Sequence, residues 1–192
     1  MSTLKIDSSA RTHDSNTRKI TQYIVDRLDA PVVERDLVSN PLPLISGEDL
    51  MGVHGSLTDD RESLHEHLKL SDTLIAELKA ADTVVFGVPM YNFTVPGVLK
   101  QWVDYVCRAG QTFRYTSDGP VGLSGVRRAY IVSATGGTPV GGALDFSSGY
   151  LALICQVMGI DEIHHIDASG SKGDPETIVA SAKAQVDQLM SA

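Results

Sequence analysis

The chain has 192 residues, of which 42% are hydrophobic, with 17 glycines and 8 prolines; this predicts one domain over residues 1–192 and excludes collagen-like and wholly disordered chains. Its 16 basic and 24 acidic residues give a net charge of −8, so we expect no binding to nucleic acid. No apolar run approaches the ~20 residues of a membrane helix, and the first residues lack the basic flank and apolar stretch of a secretory signal. We therefore expect a cytoplasmic protein that does not associate with membranes.

Apolar residues follow two alternating kinds of spacing along the chain. Short apolar runs predict strands at residues 4–6, 32–37, 84–88, 129–132 and 162–166. After each of them, apolar residues at helical spacing predict a helix. This order predicts a parallel sheet with helices on both faces. Five such strands fit the flavodoxin-like doubly wound α/β fold with strand order 2-1-3-4-5, in which the second and fifth strands are edges.

One feature fits this prediction less well. The first strand would be central, yet it is short, and Lys5 and Asp7 alternate in it with Leu4 and Ile6. Residues 38–60 form a long stretch with Pro, Gly and Ser before the second helix. A stretch of that length is typical of a functional or mobile loop.

The segment after the first strand brings small polar residues to the start of a helix: Ser8, Ser9, Ser15, Asn16 and Thr17. Ligands of open α/β sheets bind beyond the carboxyl ends of the strands. The unpaired N–H groups and the dipole of a helix N-terminus favour an anion there. Residues 7–19 also hold three basic residues against two acidic ones. The segment predicts a phosphate site, with an ordinary helix N-cap as the alternative.

Two further loops follow the third and fourth predicted strands. In the loop of residues 89–97, Met90 and Phe93 can pack on a flat heteroaromatic ring while backbone groups face its polar edge. The alternative is a hydrophobic loop that caps the core. In the loop of residues 133–138, the paired Gly136 and Gly137 let the backbone approach a ligand or simply make a turn. The three loops together predict one site.

These loops resemble those of the FMN-dependent NADH azoreductase/quinone reductase family over nearly the whole chain. The resemblance rests on the serine-rich loop, Pro89–Phe93, Arg108–Thr116 and the paired glycines. It implies three sets of FMN-binding residues: Ser9, Ser15, Asn16 and Thr17 at the phosphate, Met90, Tyr91, Asn92 and Phe93 at the flavin ring, and Ala134, Thr135, Gly136 and Gly137 at its polar edge. Some family members carry Ser-Arg where this chain has Ala134-Thr135.

The resemblance also implies an activity and an assembly. The activity is transfer of two electrons from NADH through bound FMN to quinones and azo compounds by a ping-pong mechanism. The assembly is a homodimer with FMN sites near the interface, where the segment with Phe113 and Tyr115 reaches the neighbouring substrate pocket. The alternatives are a flavodoxin-like electron carrier without NADH oxidase chemistry, a hydrolase and a flavin-free scaffold. The sequence lacks the GxSxG motif of a serine-hydrolase nucleophile elbow, which argues against the hydrolase.

The remaining candidate residues favour structural roles. His65 and His67 are two residues apart on a predicted helix, whereas a zinc pair needs a spacing of four, so we predict a solvated face and no metal site. Trp102 lies on an apolar helical stripe, which predicts packing in the core or in a dimer. Cys107 and Cys155 lack metal-binding spacing, and we expect buried free thiols.

Overall fold

The computed structural model describes residues 1–53, 62–170 and 173–191, and in it strands and helices alternate along most of the chain. In chain order the elements are β1 (Thr3–Asp7), α1 (Asn16–Leu28), β2 (Val32–Asp36), α2 (Gly47–Val53), α3 (Glu62–Ala80), β3 (Thr83–Pro89), α4 (Gly97–Val106), β4 (Phe113–Thr116), β5 (Gly119–Gly122), β6 (Arg128–Ala134), α5 (Ser148–Val157), β7 (Glu162–Asp167) and α6 (Pro175–Ser191).

Five of the strands form one parallel sheet in the order β2-β1-β3-β6-β7. Numbered among themselves, these strands have the order 2-1-3-4-5, so the predicted order is confirmed. The two more polar runs, β2 and β7, lie at the edges as predicted. Their polar character fits an edge, because one side of an edge strand faces water.

Each face of the sheet has its own apolar core. Alternate residues of one strand point to opposite faces, so in β3 Val85 packs with α1 and α6, while Phe86 packs with α3, α4 and α5. On the second face Trp102 is fully buried, and its ring meets Phe86 edge-on at 5.8 Å between centroids. Trp102 therefore belongs to the core of its own chain.

The charged residues of β1 are buried because polar groups of neighbouring elements pair with them. All five residues of β1 are buried. The ammonium of Lys5 lies 2.7 Å from the side-chain oxygen of Gln22 on α1 and 3.6 Å from the carboxylate of Asp7. Asp7 in turn accepts a hydrogen bond of 3.0 Å from the hydroxyl of Thr21. Burial is the main cause that raises the pKa of Asp7, while the nearby Lys5 charge opposes the rise.

Three elements, α2, β4 and β5, were absent from the sequence prediction. Residues 47–53 of the predicted 38–60 loop form α2, whose apolar spacing is too short to signal a helix, and residues 54–60 lie outside the described part. Strands β4 and β5 form an antiparallel hairpin. The sequence of β5, Gly-Pro-Val-Gly, carries no apolar alternation, because this strand packs through its backbone.

That backbone contact joins the hairpin to the end of α5. A Cβ placed on Gly122 would lie 2.0 Å from the backbone nitrogen of Gly159, so only glycine fits. Gly159 itself has a φ of +83°, which glycine adopts without strain. The amide of Ser124 also donates to the carbonyl of Met158 at 3.2 Å. The hairpin is thus held closely at its base.

Three smaller predictions have mixed outcomes. Cys155 is buried and Cys107 is half-buried; both are free, and burial raises the pKa of each thiol to about 12. His67 differs from the predicted solvated face, because it is half-buried with its Nδ1 atom 2.6 Å from the hydroxyl of Tyr105. Among the described residues, no helix combines the length and apolar character needed to cross a bilayer.

Candidate functional site

A cavity of about 150 Å³ opens where β1, β3 and β6 end. It is lined by residues of three loops: Ser9, Arg11, Ser15, Asn16, Thr17, Pro89, Met90, Tyr91, Ala134 and Gly136. The carboxyl ends of parallel strands meet at one edge of the sheet, which is why these loops converge. The lining thus combines residues with hydroxyl groups and an arginine with the larger residues Met90 and Tyr91.

The structure brings eight of the twelve predicted cofactor residues to this cavity: Ser9, Ser15, Asn16, Thr17, Met90, Tyr91, Ala134 and Gly136. Asn92, Phe93, Thr135 and Gly137 belong to the same loops but do not line it. Thr135 is buried, and its hydroxyl donates to the carbonyl of Thr138 within its own loop. Pro89 also lines the cavity although it was not predicted to, and so does Arg11, one of the three basic residues counted in residues 7–19.

The hydroxyl side of the cavity is the start of α1. Ser15 is the N-cap residue, and its Oγ accepts from the amide of Arg18 at 3.4 Å and lies 3.0 Å from the hydroxyl of Thr17. The first turn of α1 contains no acidic residue, so the positive end of the helix dipole is not offset there. The predicted N-cap is therefore observed, and the same hydroxyl groups line a cavity suited to an anion.

The loop before α1 is tied to two other parts of the site. The hydroxyl of Tyr91 accepts from the amide of Ala10 at 3.0 Å, which links this loop to the loop after β3. The guanidinium of Arg18 donates to the carbonyl oxygens of Ser9 and Arg11, both at 3.0 Å. It also forms a two-point ion pair with Asp36 at the end of β2. Arg18 holds the pKa of the Asp36 carboxyl well below its usual range, helped by bonds from residues 38 and 39.

The loop after β3 contains a tight turn in an unusual conformation. The backbone groups of Tyr91 and Thr94 exchange hydrogen bonds of 3.0 and 3.2 Å around Asn92 and Phe93, whose φ angles are +49° and +72°. Two successive positive φ angles are typical of a type I′ turn, which favours Asn-Gly. Asn92 suits its position, whereas Phe93 is strained. Strained backbone of this kind occurs preferentially at functional sites.

Phe93 has an aromatic neighbour across the site. Its carbonyl oxygen accepts from the amide of Phe146 at 3.0 Å. The two side chains are 49% and 62% exposed, although exposed phenylalanines are uncommon. Phe146 lies in the loop after β6, where Asp145 accepts from the amides of Ser147 and Ser148 at 2.9 Å each. These bonds fix the path of the chain beside Phe93.

The two predicted substrate-pocket residues lie on the β4–β5 hairpin. Phe113 is buried at its base, and Tyr115 is 76% exposed. Their rings meet at right angles with 5.2 Å between centroids. Neither residue lines the cavity within one chain. Across residues 1–53, 62–170 and 173–191, no group of three His, Cys, Asp or Glu side chains is arranged to hold a metal ion.

Comparisons with known proteins agree on the type of fold. A family model described as a flavodoxin-like fold matches residues 1–190. The chain is 47% identical over 189 residues to FMN-dependent NADH:quinone oxidoreductase 1 of Hahella chejuensis, covering 95% of this chain and 92% of that protein. A protein with the same description from Jannaschia sp. is 42% identical over 187 residues, with 97% of each chain covered. The crystal structure of an azoreductase from Bacillus anthracis superposes with a TM-score of 0.85 at 26% identity, covering 98% of each chain.

We expect Phe93→Gly to be more stable than Phe93→Ala by about 1 kcal/mol in the free energy of unfolding. Both variants lose the ring, but only glycine relieves the positive φ. Urea unfolding of the two variants measures the difference. As a control, Thr94→Gly and Thr94→Ala, at a neighbouring residue that has no positive φ, should rank in the opposite order. Equal stability of the two Phe93 variants would contradict the assigned strain.

Proposed function

Because this chain belongs to the family with the flavodoxin-like fold, we propose that it is an FMN-dependent oxidoreductase that transfers two electrons from NADH to quinones and azo compounds. The observation that carries the proposal is the cavity itself. It combines the hydroxyl-rich start of α1 with Met90 and Tyr91 at the carboxyl edge of the sheet, and the strained turn of Asn92 and Phe93 follows directly in the chain. The names of the relatives in Hahella and Jannaschia support the same cofactor and donor.

The residues present fit FMN at its phosphate end. A phosphate carries up to two negative charges, and the molecule has a net charge of −8, so binding requires a local positive field. Arg11, the amide groups at the start of α1 and the hydroxyl groups of Ser9, Ser15 and Thr17 provide donors at the cavity. We therefore assign Ser9, Ser15, Asn16 and Thr17 to the phosphate.

The other two loops fit the flavin ring. Met90, Tyr91, Asn92 and Phe93 present a thioether, aromatic rings and backbone amides, which suit an aromatic ligand with a polar edge. Ala134, Thr135, Gly136 and Gly137 bring small side chains and backbone beside them. The side chain of Thr135 contributes little there, since its hydroxyl bonds within its own loop. We infer that this loop contacts the ring through its backbone.

When bound, FMN supplies the redox chemistry, accepting hydride from NADH and passing two electrons to the acceptor. The protein binds and orients the partners. No side chain is needed as a nucleophile, which is consistent with the absence of a hydrolase-type elbow in the sequence. Residues 1–192 act as one domain in this proposal, and its place of action is the cytoplasm.

We further propose that the protein functions as a homodimer. The cavity in one chain, at about 150 Å³, is smaller than the roughly 300–1,000 Å³ of ligand pockets, so one chain encloses only part of an FMN-sized ligand. Large apolar side chains also stay exposed on the single chain, including Tyr115, Leu144, Phe146 and Leu153. The stripe from Trp102 to Val106 contributes nothing to the interface, because its apolar residues pack inside the chain. Phe113 and Tyr115 complete the acceptor pocket of the partner.

Purified apoprotein should bind FMN at least about tenfold more tightly than riboflavin. The two flavins differ by the phosphate, and each hydrogen bond to a charged group contributes roughly 1.5–3 kcal/mol. Fluorescence titration with both flavins measures the ratio. Equal affinities would contradict the phosphate assignment.

NADH should reduce the flavin of the holoprotein rapidly in the absence of any acceptor. Both substrates need the same open side of the site, so they react in turn, and double-reciprocal plots with NADH and menadione should be parallel. Anaerobic stopped-flow absorbance and steady-state kinetics are the measurements. Slow reduction would favour an electron carrier, and intersecting lines would show that both substrates bind together.

Sedimentation of the holoprotein should give twice the 20.6 kDa mass of one chain. Phe146→Glu should shift the protein toward the monomer, because a charge would be buried in the interface. Val33→Glu, at an exposed apolar residue of the β2 edge, is the matched control and should remain dimeric. A monomer with full activity would refute the homodimer.

A further inference from the structure

The guanidinium of Arg18 is the centre of the hydrogen-bond network behind the loop of residues 8–15. Its Nε atom donates to the carbonyl of Arg11 and its Nη2 atom to the carbonyl of Ser9, each at 3.0 Å. Nη1 and Nη2 donate to the two carboxylate oxygens of Asp36 at 2.7 and 2.8 Å. The side chain is only 17% exposed. All three nitrogens of the guanidinium are thus engaged at one place.

These bonds determine the shape of a loop that has no regular structure of its own. Two of its carbonyl groups point at Arg18. The amide of Ala10 donates in another direction, to the hydroxyl of Tyr91 at 3.0 Å. Ser9 and Arg11 are the residues whose carbonyls Arg18 holds, and both line the cavity. A displacement of the Arg18 guanidinium would therefore move two lining residues together.

The charge of Arg18 is already balanced by neighbouring carboxylates. Asp36 lies at 2.7 Å and Asp7 at 3.9 Å from Nη1. Asp7 has its own partners in Lys5 and Thr21. A guanidinium neutralised in this way offers little net attraction to an anion in the cavity. Arg11 is an exposed residue of the cavity lining, and it is the other basic residue of this site.

We propose that Arg18, held by Asp36, is a positioning residue that shapes the loop of residues 8–15 to receive the FMN phosphate. The proposal rests on the function proposed above. Arg18 acts through the carbonyl groups of Ser9 and Arg11 rather than through its charge. Its planar fork is needed because one group has to span two carbonyls and a carboxylate at fixed angles.

Two substitutions separate a positioning role from an electrostatic one. Arg18→Lys keeps the positive charge but loses the planar fork, so a positioning role predicts weaker FMN binding and an electrostatic role predicts little change. Asp36→Asn removes the negative charge beside Arg18 and weakens the two-point contact that holds the guanidinium in place. Here a positioning role predicts weaker FMN binding, whereas an electrostatic role predicts tighter binding.

The neighbouring residue on β2 provides a matched control. Arg35 forms a two-point ion pair with Glu77 on α3, with Nε 2.7 Å from Oε2, and both side chains are mostly buried like those of Arg18 and Asp36. This pair joins β2 to α3 rather than to the loop. Arg35→Lys and Glu77→Gln therefore test the cost of losing an equivalent ion pair elsewhere.

The measurement is fluorescence titration of each apoprotein with FMN and with riboflavin, alongside its thermal unfolding. We expect Arg18→Lys and Asp36→Asn each to lower the FMN-to-riboflavin affinity ratio by about tenfold, the effect of losing roughly one charge-assisted hydrogen bond. The Arg35 and Glu77 variants should keep the wild-type ratio even where their melting temperatures fall. General destabilisation weakens both flavins equally and leaves the ratio unchanged.

The outcomes distinguish this proposal from the function on which it rests. If the wild-type protein binds both flavins equally, the proposed function fails at the phosphate. If the wild type prefers FMN and the Arg18→Lys and Asp36→Asn variants keep that preference, the positioning role alone is refuted. Tighter FMN binding by Asp36→Asn would refute it in favour of electrostatics. Should one variant fail to fold, the other decides the question, because each removes a different member of the pair.

Discussion

A charged strand inside a parallel sheet needs a polar partner for every charge that it buries. In β1, side chains of neighbouring elements provide these partners for Lys5 and Asp7. On α1, Gln22 accepts a hydrogen bond from Lys5, and Thr21 donates one to Asp7. The helix therefore lies with a polar side toward this part of the sheet. Arg18, one turn before Thr21 and Gln22, then faces Asp36 across the top of β1. An unpaired charge in this position would cost several kcal/mol. The direction in which the chain leaves β1 follows from this pairing.

The same pairing contributes to the shape of the candidate site at one edge of the sheet. The loop after β1 is fixed from behind by the guanidinium and from the side by the hydroxyl of Tyr91. The loop after β3 is fixed by its own turn and by a bond from Phe146. Hydrogen bonds within the chain thus hold three otherwise irregular loops together as one surface. Preorganisation of this kind lowers the entropic cost of binding.

Much of the fold follows from the sequence, because apolar runs and helical stripes in strict alternation leave few topologies open. The family resemblance is confirmed, and so are the sheet order and its edges. Lys5 and Asp7 are accommodated in a buried strand because they bond to side chains 14–29 residues away in the sequence. No local sequence pattern reveals such partners. The β4–β5 hairpin escaped prediction since Gly119–Gly122 packs through backbone, and α2 is too short to show a period.

The sequence predicted which loops form the candidate site, but it did not predict the contacts between their atoms. Strand ends identified the three loops, and most of the predicted residues line the cavity. The geometry of the turn at Asn92 and Phe93 could not be predicted from the sequence, because an Asn-Phe pair does not indicate two successive positive φ angles. The position of Arg11 in the cavity and the role of Arg18 behind it also required three-dimensional contacts. Two arginines seven residues apart look equivalent in a sequence.

The backbone contact between Gly122 and Gly159 affects which substitutions the β4–β5 hairpin can accept during evolution. No side chain lies at this junction, so the β4–β5 hairpin, the arm that carries Tyr115, meets the end of α5 through backbone there. Residues along the arm, such as Arg114 and Val121, are exposed and take no part in that junction. Mutation can therefore diversify the arm without disturbing its attachment. In the proposed homodimer, such substitutions would change the surface that the hairpin offers to the partner subunit, while the glycine contact at its base stays the same.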